Sequence, residues 1–156
     1  MSESSRKLIC SNRKARHRYH IEETVEAGIS LLGPEVKSLR AGGAALTDGY
    51  ARIRRGEIFL CSVHIAPYEE ASRENAEPTR DRKLLLHRRE IDRLSGKVRE
   101  RGFTLIPLDL YFRDGRAKVT LALARGKRTV DRRHEIARRD AERQMDRARK
   151  QRLRKR

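Results

Sequence analysis

The strongest constraint on the fold is a long stretch of alternating residues near the N-terminus. Between Tyr19 and Leu31 the larger apolar side chains fall mainly on odd positions, and polar side chains occupy most even positions. A period of two is typical of a β-strand with one buried and one exposed face. Gly28 has no side chain and would allow so long a strand to bend, as at the corner of a barrel. The alternation therefore predicts a bent strand with Glu26 on its exposed face.

Tight turns and short elements follow this first strand. Gly33-Pro34 ends the strand, because proline suits the first turn of a helix, and the Asp114-Gly115 pair is a strong hairpin signal. The strands predicted downstream cover residues 50–53, 58–65, 103–112 and 117–123, and the predicted helices cover residues 34–41 and 87–101. Residues 67–82 are predicted to form a long exposed loop. Short strands with tight turns favour a mainly β fold, an antiparallel barrel with short flanking helices.

The charge of the chain points to a polyanionic partner. Lys and Arg number 39 against 22 Asp and Glu, which gives a net charge of +17. Residues 126–156 hold 14 of the basic residues and 5 of the acids, a net +9 (14 − 5), so about half of the excess lies in the last fifth of the chain. Such asymmetry is typical of proteins that bind nucleic acid, although composition does not choose between RNA and DNA.

Several classes of protein are excluded by the sequence. No stretch approaches the roughly 18 apolar residues of a membrane span. The first ten residues are polar and basic, unlike a signal peptide, so a cytoplasmic protein is expected. Cys10 and Cys61 are far apart, and His17 and His20 have no obvious further ligand, so no metal is expected. No nucleophile or paired-carboxylate motif is evident, which predicts no catalytic residues and no cofactor.

The chain is predicted to divide into three parts. Residues 1–11 are expected to be a flexible arm, residues 12–125 the barrel, and residues 126–156 a basic tail. In the tail, Ala137, Ala141, Met145 and Ala148 form a stripe at helical spacing. So narrow a stripe buries little area, and isolated helices are marginal in water. We therefore expect the tail to be disordered alone and helical against a partner, although a merely solubilising tail is the simpler alternative.

Three groups of residues are candidates for nucleic-acid contacts. Arg13 and Lys14 lie in a basic cluster beside the first strand, where the Asn12 amide could also contact RNA, unless the cluster is only a solvated arm. Glu26 could accept hydrogen bonds from exocyclic amines, or it is an ordinary surface carboxylate. In residues 83–87 the three successive leucines cannot all face one side of a strand. At least one is expected to be exposed and to contact an unstacked base, unless the strand is buried on both faces.

Five segments together carry a resemblance to a known family. They are NRKARHRY (12–19), EAGISLLGPEVKSLRAG (26–42), RKLLLH (82–87), GFTLIPLDLYF (102–112) and KVTLALARGKRTVDRR (118–133). In this order and spacing they resemble the small protein B family (SmpB, SsrA-binding proteins). The resemblance implies an OB-like antiparallel β-barrel and a non-enzymatic, monomeric RNA-binding protein. Its partners would be the tRNA-like domain of tmRNA and the ribosome, chiefly the small-subunit RNA, in trans-translation.

The resemblance also implies roles for residues at matching positions. The RNA-binding candidates are Asn12, Arg13, Lys14, Glu26, Lys83, Leu85, Leu86 and His87. The candidates at the decoding centre and in the vacant mRNA channel, where the tail would become helical, are Lys127, Arg128, Asp131, Arg132 and Arg133.

The chain departs from the family pattern at three positions. Two of them are candidates named above, and the third lies beside the tail candidates. Arg132 replaces a usual Lys, Val130 stands where many members have an aromatic residue or His, and His87 stands where some have Asn. A ribosomal or ribosome-assembly protein with a basic extension is the alternative binding function, and a small metal-dependent nuclease is the enzymatic one.

Overall fold

The computed structural model describes residues 5–69, 75–100, 102–127 and 129–154, and for residues 129–135 it describes the backbone alone. The strands are β1 (Arg6–Ser11), β2 (Tyr19–Ile29), β3 (Ala44–Ala45), β4 (Tyr50–Arg54), β5 (Glu57–Cys61), β6 (His64–Ile65), β7 (Arg82–Leu85), β8 (Phe103–Arg113) and β9 (Arg116–Gly126). The helices are α1 (Ala15–Arg18), α2 (Gly33–Arg40), α3 (Arg88–Arg99) and α4 (Thr129–Arg154). The chain divides into two units, Met1–Gly126 and Lys127–Arg156.

The first unit is built on a ring of antiparallel strands. The order is β8-β4-β5-β7-β2-β9, and pairing of β9 with β8 closes the ring. Strand β1 pairs with β8 outside this ring, and β3 pairs with β6 as a separate ribbon. The predicted mainly β, barrel-like fold with flanking helices is therefore confirmed.

The core lies inside the ring and follows the predicted alternation. Leu121 and Leu123 of β9, Leu84 of β7 and Leu105 of β8 are buried there, as is Ala27 of β2. Burial of apolar area of this kind is the main force that holds such a fold together.

Gly28 is the point where β2 changes partners. Tyr19–Gly28 pairs with β9, whereas Gly28 and Ile29 pair with β7. A Cβ at Gly28 would lie 3.3 Å from the Cβ of Leu85, which is closer than most Cβ contacts, so the missing side chain lets β7 approach.

The predicted Asp114-Gly115 turn is confirmed by its backbone angles, and Arg55-Gly56 forms a second turn of the same kind. Arg55 and Gly56 have φ values of 52° and 75°, and Asp114 and Gly115 have 50° and 79°. Positive φ at both central residues is the signature of the type I′ turn, whose twist matches that of the paired strands.

The prediction of a flexible arm is contradicted over β1, and the prediction of a long loop is wrong at its last residue. Residues 1–4 of the arm and 70–74 of the loop lie outside the described residues. The expected flexible arm is wrong for Arg6–Ser11, because these residues form β1 against the free edge of β8, with Ser11 opposite Asp109. The predicted exposed loop included Arg82, but Arg82 already begins β7 and is fully buried. Both errors have the same physical cause, because each segment is ordered by partners distant in the sequence.

The second unit contains α4, a helix of 26 residues that is about 39 Å long at 1.5 Å per residue. It carries ten basic and five acidic residues, a net +5 (10 − 5). Ile136, Met145 and Leu153 are exposed on it. The predicted helical conformation is present, whereas the dependence of this helix on a partner stays a prediction. No described helix is both long and apolar enough to cross a membrane.

Candidate nucleic-acid interface

One cleft brings together predicted residues from separate parts of the chain, and we call it the Glu26 cleft. Its volume is about 390 Å³. It is lined by Glu26, Gly28, Leu85, Leu86, His87, Glu90 and Lys118. Strand pairing explains the convergence, because Gly28 lies opposite both Leu85 of β7 and Lys118 of β9. Four of the eight predicted RNA-binding residues thus line a single cleft.

The Glu26 carboxylate is held in place by two side chains of β8. The Tyr111 hydroxyl donates a hydrogen bond to Oε2, and Arg113 Nη1 lies 2.8 Å from the same oxygen. Both contacts involve Oε2, and within the described ranges no donor contacts Oε1, whose lone pairs can accept from a ligand. Burial, and then the hydrogen bond to Glu26, raises the pKa of Tyr111, which keeps its hydroxyl a donor. The arrangement presents an oriented acceptor at the cleft, as the reading of an exocyclic amine requires.

The apolar part of the cleft is supplied by the leucine run. Leu84 points into the core and is 1% exposed, whereas Leu85 is 54% exposed. The prediction that at least one leucine is exposed is therefore confirmed. His87 is also exposed and precedes the first turn of α3. An exposed leucine beside an imidazole forms a surface on which an unstacked base can lie.

Lys83 lies on the same strand as these residues but outside the Glu26 cleft. Its Nζ atom is 3.2 Å from Oε1 of Glu57, and both side chains are about half exposed. A surface pair of this kind is weak and can be exchanged for a phosphate contact.

A second cleft lies beside α1, and we call it the Lys14 cleft. Its volume is about 320 Å³. The residues that line it include Asn12, Lys14, Arg18, Tyr19, Asp48, Tyr50 and Thr104. Lys14 and Arg18 are exposed. Arg13 is exposed as well but does not line this cleft.

Asn12 has a structural part in this cleft. It is 8% exposed, and its Nδ2 donates to the carbonyl oxygens of Pro107 at 3.2 Å and Leu46 at 3.4 Å. These bonds tie the start of α1 to β8, so the amide nitrogen serves the fold.

The two clefts are separated along β2. Tyr19 lines the Lys14 cleft and Glu26 lines the other, seven residues further along the strand. At about 3.3 Å per residue this corresponds to about 23 Å. The predicted RNA-binding residues therefore form two groups instead of one patch.

The residues predicted for the ribosome follow the last strand. Lys127 comes directly after β9, and Arg128 lies outside the described residues. Asp131, Arg132 and Arg133 lie in the first turns of α4, where only the backbone is described.

A buried ion cluster, which the sequence reasoning missed, fixes the start of β7. Arg82 is 0% exposed, and its Nε donates to Oε2 of Glu35 at 2.6 Å. Its Nη atoms donate to the carbonyl oxygens of Val63, Arg80 and Pro78 at 2.8, 3.2 and 3.0 Å. This network anchors the strand that carries Leu85 towards the Glu26 cleft.

Glu35 is the acidic centre of this cluster. Burial opposes its ionisation, but hydrogen bonds from Arg80, from the Leu32 N–H and from Arg82 hold the pKa of the carboxyl below its ordinary value. Glu35 also caps α2, because Leu32 N donates to Oε1 at 2.9 Å. One carboxylate thus joins the start of α2 to the start of β7.

Lys118, Tyr111 and Arg113 are functional candidates that the sequence reasoning missed as well. Lys118 falls on the polar face of its strand, which was the available signal, but its position opposite Gly28 depends on the register of β2 with β9. Within the described ranges, no three His, Cys, Asp or Glu side chains are grouped so that they could hold a metal ion.

The chain is similar to a family of known proteins over most of its length. Residues 9–151 match the family described as SmpB protein. The SsrA-binding protein of Acidothermus cellulolyticus is 65% identical over 146 residues, which cover 94% of this chain and 92% of that protein. The SsrA-binding protein of Thermobifida fusca is 61% identical over 142 residues, or 91% and 89% of the two chains.

A solved structure is similar to the chain as well. It is described as "tmRNA-SmpB: a journey to the center of the bacterial ribosome" and matches with a TM-score of 0.65 and 55% identity. The match covers 77% of this chain and 85% of that one.

Proposed function

Because the chain belongs to the SmpB protein family, we propose that it binds the tRNA-like domain of tmRNA and delivers this RNA to stalled ribosomes in trans-translation. Trans-translation rescues the ribosome and tags the unfinished peptide. The protein acts as an RNA-binding partner, without catalysis and without a cofactor. Since its partners are tmRNA and the ribosome, it works in the cytoplasm.

The convergence in the Glu26 cleft is the observation that carries this proposal. Glu26, Leu85, Leu86 and His87 come from two segments far apart in the sequence and line one cleft. An oriented carboxylate, an exposed leucine and the cation of Lys118 together suit a base that has left its stack and the phosphate next to it. We assign specific contacts to this cleft, because only base contacts and RNA shape distinguish one RNA from another.

The Lys14 cleft contributes affinity of a less specific kind. Lys14, Arg18 and the neighbouring Arg13 are exposed cations at the start of β2. Contacts of such residues with phosphate release counterions and make binding strong at low salt and weaker at high salt. They position the RNA on the ring of strands without reading its sequence.

The tail acts on the ribosome in this proposal. Helix α4 is strongly basic, and its interspersed acids suit a defined helix better than a plain polycation would. The junction residues Lys127, Arg128, Asp131, Arg132 and Arg133 contact the decoding centre. The helix then occupies the mRNA channel, where messenger RNA would compete for the same space, so the tail senses a vacant channel.

Substitution of Glu26 tests the RNA-binding assignment. In Glu26→Ala we expect weaker binding of the tRNA-like domain, by about 5- to 150-fold, because a lost base contact is worth about 1–3 kcal/mol. Glu22→Ala is the matched control, since it removes the same charge from an exposed position of the same strand. A gel-shift titration gives the affinity, and thermal melting checks the fold.

The outcomes separate function from folding. Equal affinities of Glu26→Ala and the wild type would contradict the assignment of the cleft. Tyr111→Phe should weaken binding less than Glu26→Ala, because it removes one bond that orients the carboxylate and leaves Arg113 in place. A collapsed melting curve for Glu26→Ala would show that the residue supports the fold.

A further inference from the structure

A third cleft, which we call the arginine cleft, lies between α3 and the β4–β5 hairpin. Its volume is about 570 Å³, which exceeds that of the Glu26 cleft and of the Lys14 cleft. Its charged lining residues are Arg52, Arg55, Arg88, Arg99 and Asp92. With four cations and one anion, the lining has a net charge of +3 (4 − 1). None of these residues belongs to the sites predicted above.

The arginines of this cleft are available for a ligand. Arg52 lies 3.4 Å from Asp81 and Arg88 lies 3.4 Å from Asp92, and both are exposed pairs of the weak kind. Arg88 Nη1 also donates to the carbonyl oxygen of Gly56 at 3.1 Å, which holds this guanidinium against the β4–β5 hairpin. Arg55 and Arg99 are exposed, and among the described residues neither has a recorded partner. The guanidinium groups of Arg55 and Arg99 are therefore available to bind phosphate, and their planar arrangement of N–H donors suits this ligand.

The floor of the cleft suits a nucleotide. Ile53 and Val98 supply partly exposed apolar surface over the buried Ile91 and Leu105, and Tyr50 is 39% exposed beside them. Aromatic and apolar surface under a row of cations is the arrangement that binds unstacked nucleotides. An acidic peptide would match the charge but would not need the exposed tyrosine.

The backbone of Arg55 has a conformation that is strained for residues other than glycine. Its φ of 52° is required by the type I′ turn, for which Asn or Gly is the favoured residue. A non-glycine residue with positive φ is strained, and such strain is concentrated at functional positions. The turn thus has a cationic side chain at a position where Asn or Gly would be more stable.

The arginine cleft joins the other two clefts. It shares Tyr50 and Thr104 with the Lys14 cleft. At its other end, the first turn of α3 supplies Arg88 to the arginine cleft and Glu90 to the Glu26 cleft, and His87 comes directly before that turn. The two separated groups of predicted RNA-binding residues are therefore connected through this cleft.

We propose that the arginine cleft binds the sugar–phosphate backbone of the same tmRNA that occupies the Glu26 cleft, so that one RNA follows the surface from Glu26 across α3 to Lys14. This inference rests on the proposed function and adds a third contact surface to it. Arg55 and Arg99 contact phosphates directly, Arg88 and Arg52 exchange their carboxylate partners for phosphate, and Tyr50 packs against a base or ribose.

The experiment compares the full-length protein with the double variant Arg55→Asn/Arg99→Gln and with a charge-matched control. Lys7→Gln/Arg116→Gln removes the same charge from two exposed positions that do not line any of the three clefts. The affinity for the tRNA-like domain is measured at several salt concentrations. The slope of log K against log salt is negative, and loss of two phosphate contacts should reduce its magnitude by about 2, whereas the control should keep the wild-type slope. Arg55→Asn alone should melt at or above the wild-type temperature, because Asn suits the turn.

Each outcome bears on the proposal. If the wild type does not bind tmRNA, the proposed function itself fails. If the wild type binds and the double variant keeps both its affinity and its slope, the arginine cleft is not part of the RNA track, while the proposed function stands. If the control loses as much slope as the double variant, the effect is one of general charge and the inference is wrong. If the double variant loses only binding to the ribosome, the cleft faces a partner other than tmRNA and the inference is also overturned.

Discussion

The buried Glu35–Arg82 pair should be among the most sensitive points of the fold. Glu35→Ala removes the carboxylate that accepts from Arg82 Nε at 2.6 Å and leaves a guanidinium with 0% exposure without its counter-ion. Breaking a buried pair from one side costs about 3–5 kcal/mol, and loss of the capping bond to Leu32 adds about 1 kcal/mol. A total near 5 kcal/mol is a large part of the roughly 5–15 kcal/mol that stabilises a natural domain.

The measurement is urea denaturation of Glu35→Ala, Arg82→Met and the double variant. Far-UV circular dichroism is the suitable signal, because the chain has no Trp. The double variant should be more stable than the sum of the single effects predicts, because replacing both partners removes the unpaired charge that each single variant leaves. Single effects below about 1 kcal/mol, or strictly additive ones, would refute the view that this pair is a buried and coupled unit.

The same pair predicts a dependence of stability on pH. The pKa of Glu35 is held below its ordinary value of 4.5 in the folded state, so its ionised form stabilises the fold above that value. This contribution is lost as the pH falls through the folded pKa. The wild type should therefore lose more stability in acid below about pH 4.5 than Glu35→Ala does.

The tail and Gly28 give the remaining predictions. Deletion of residues 131–156 removes most of α4. We expect the truncated protein to keep most of its affinity for tmRNA and to lose peptide tagging in a translation assay. A truncated protein without affinity for tmRNA would contradict the division between ring and tail. Gly28→Val should lower both the melting temperature and the RNA affinity, because its Cβ would already lie 3.3 Å from that of Leu85 before its two methyl groups are placed. Gly33→Ala, at an exposed position, is the control. A Gly28→Val protein with unchanged melting temperature and RNA affinity would show that β7 can move away.

Local patterns predicted the parts of the fold that depend on local physics. Alternation identified β2 and the exposed position of Glu26, and the Asp114-Gly115 pair identified a type I′ turn, because both depend on residues close in sequence. The order of β1 could not be found in this way. Its six residues carry little apolar pattern, and they are ordered by the free edge of β8, about 100 residues away.

Long-range pairing explains what was missed at the candidate site. Glu26 was identified, but its neighbours Tyr111 and Arg113 depend on the register of three strands, β2, β9 and β8. Arg82 was placed in an exposed loop because residues 67–82 carry two prolines and many charges, yet its counter-ion Glu35 lies 47 residues earlier. No periodicity within either segment encodes that pairing.

The closure of the ring by its last two strands has a consequence for folding during synthesis. Strand β1 pairs with β8, and β2 pairs with β9 over most of its length and with β7 only at Gly28 and Ile29, so these first strands gain most of their pairing when the last strands have been synthesised. Contacts so distant in sequence give a high contact order, for which folding is slow. The ring therefore cannot close until translation has passed Gly126, and most of β2 is exposed to aggregation until then.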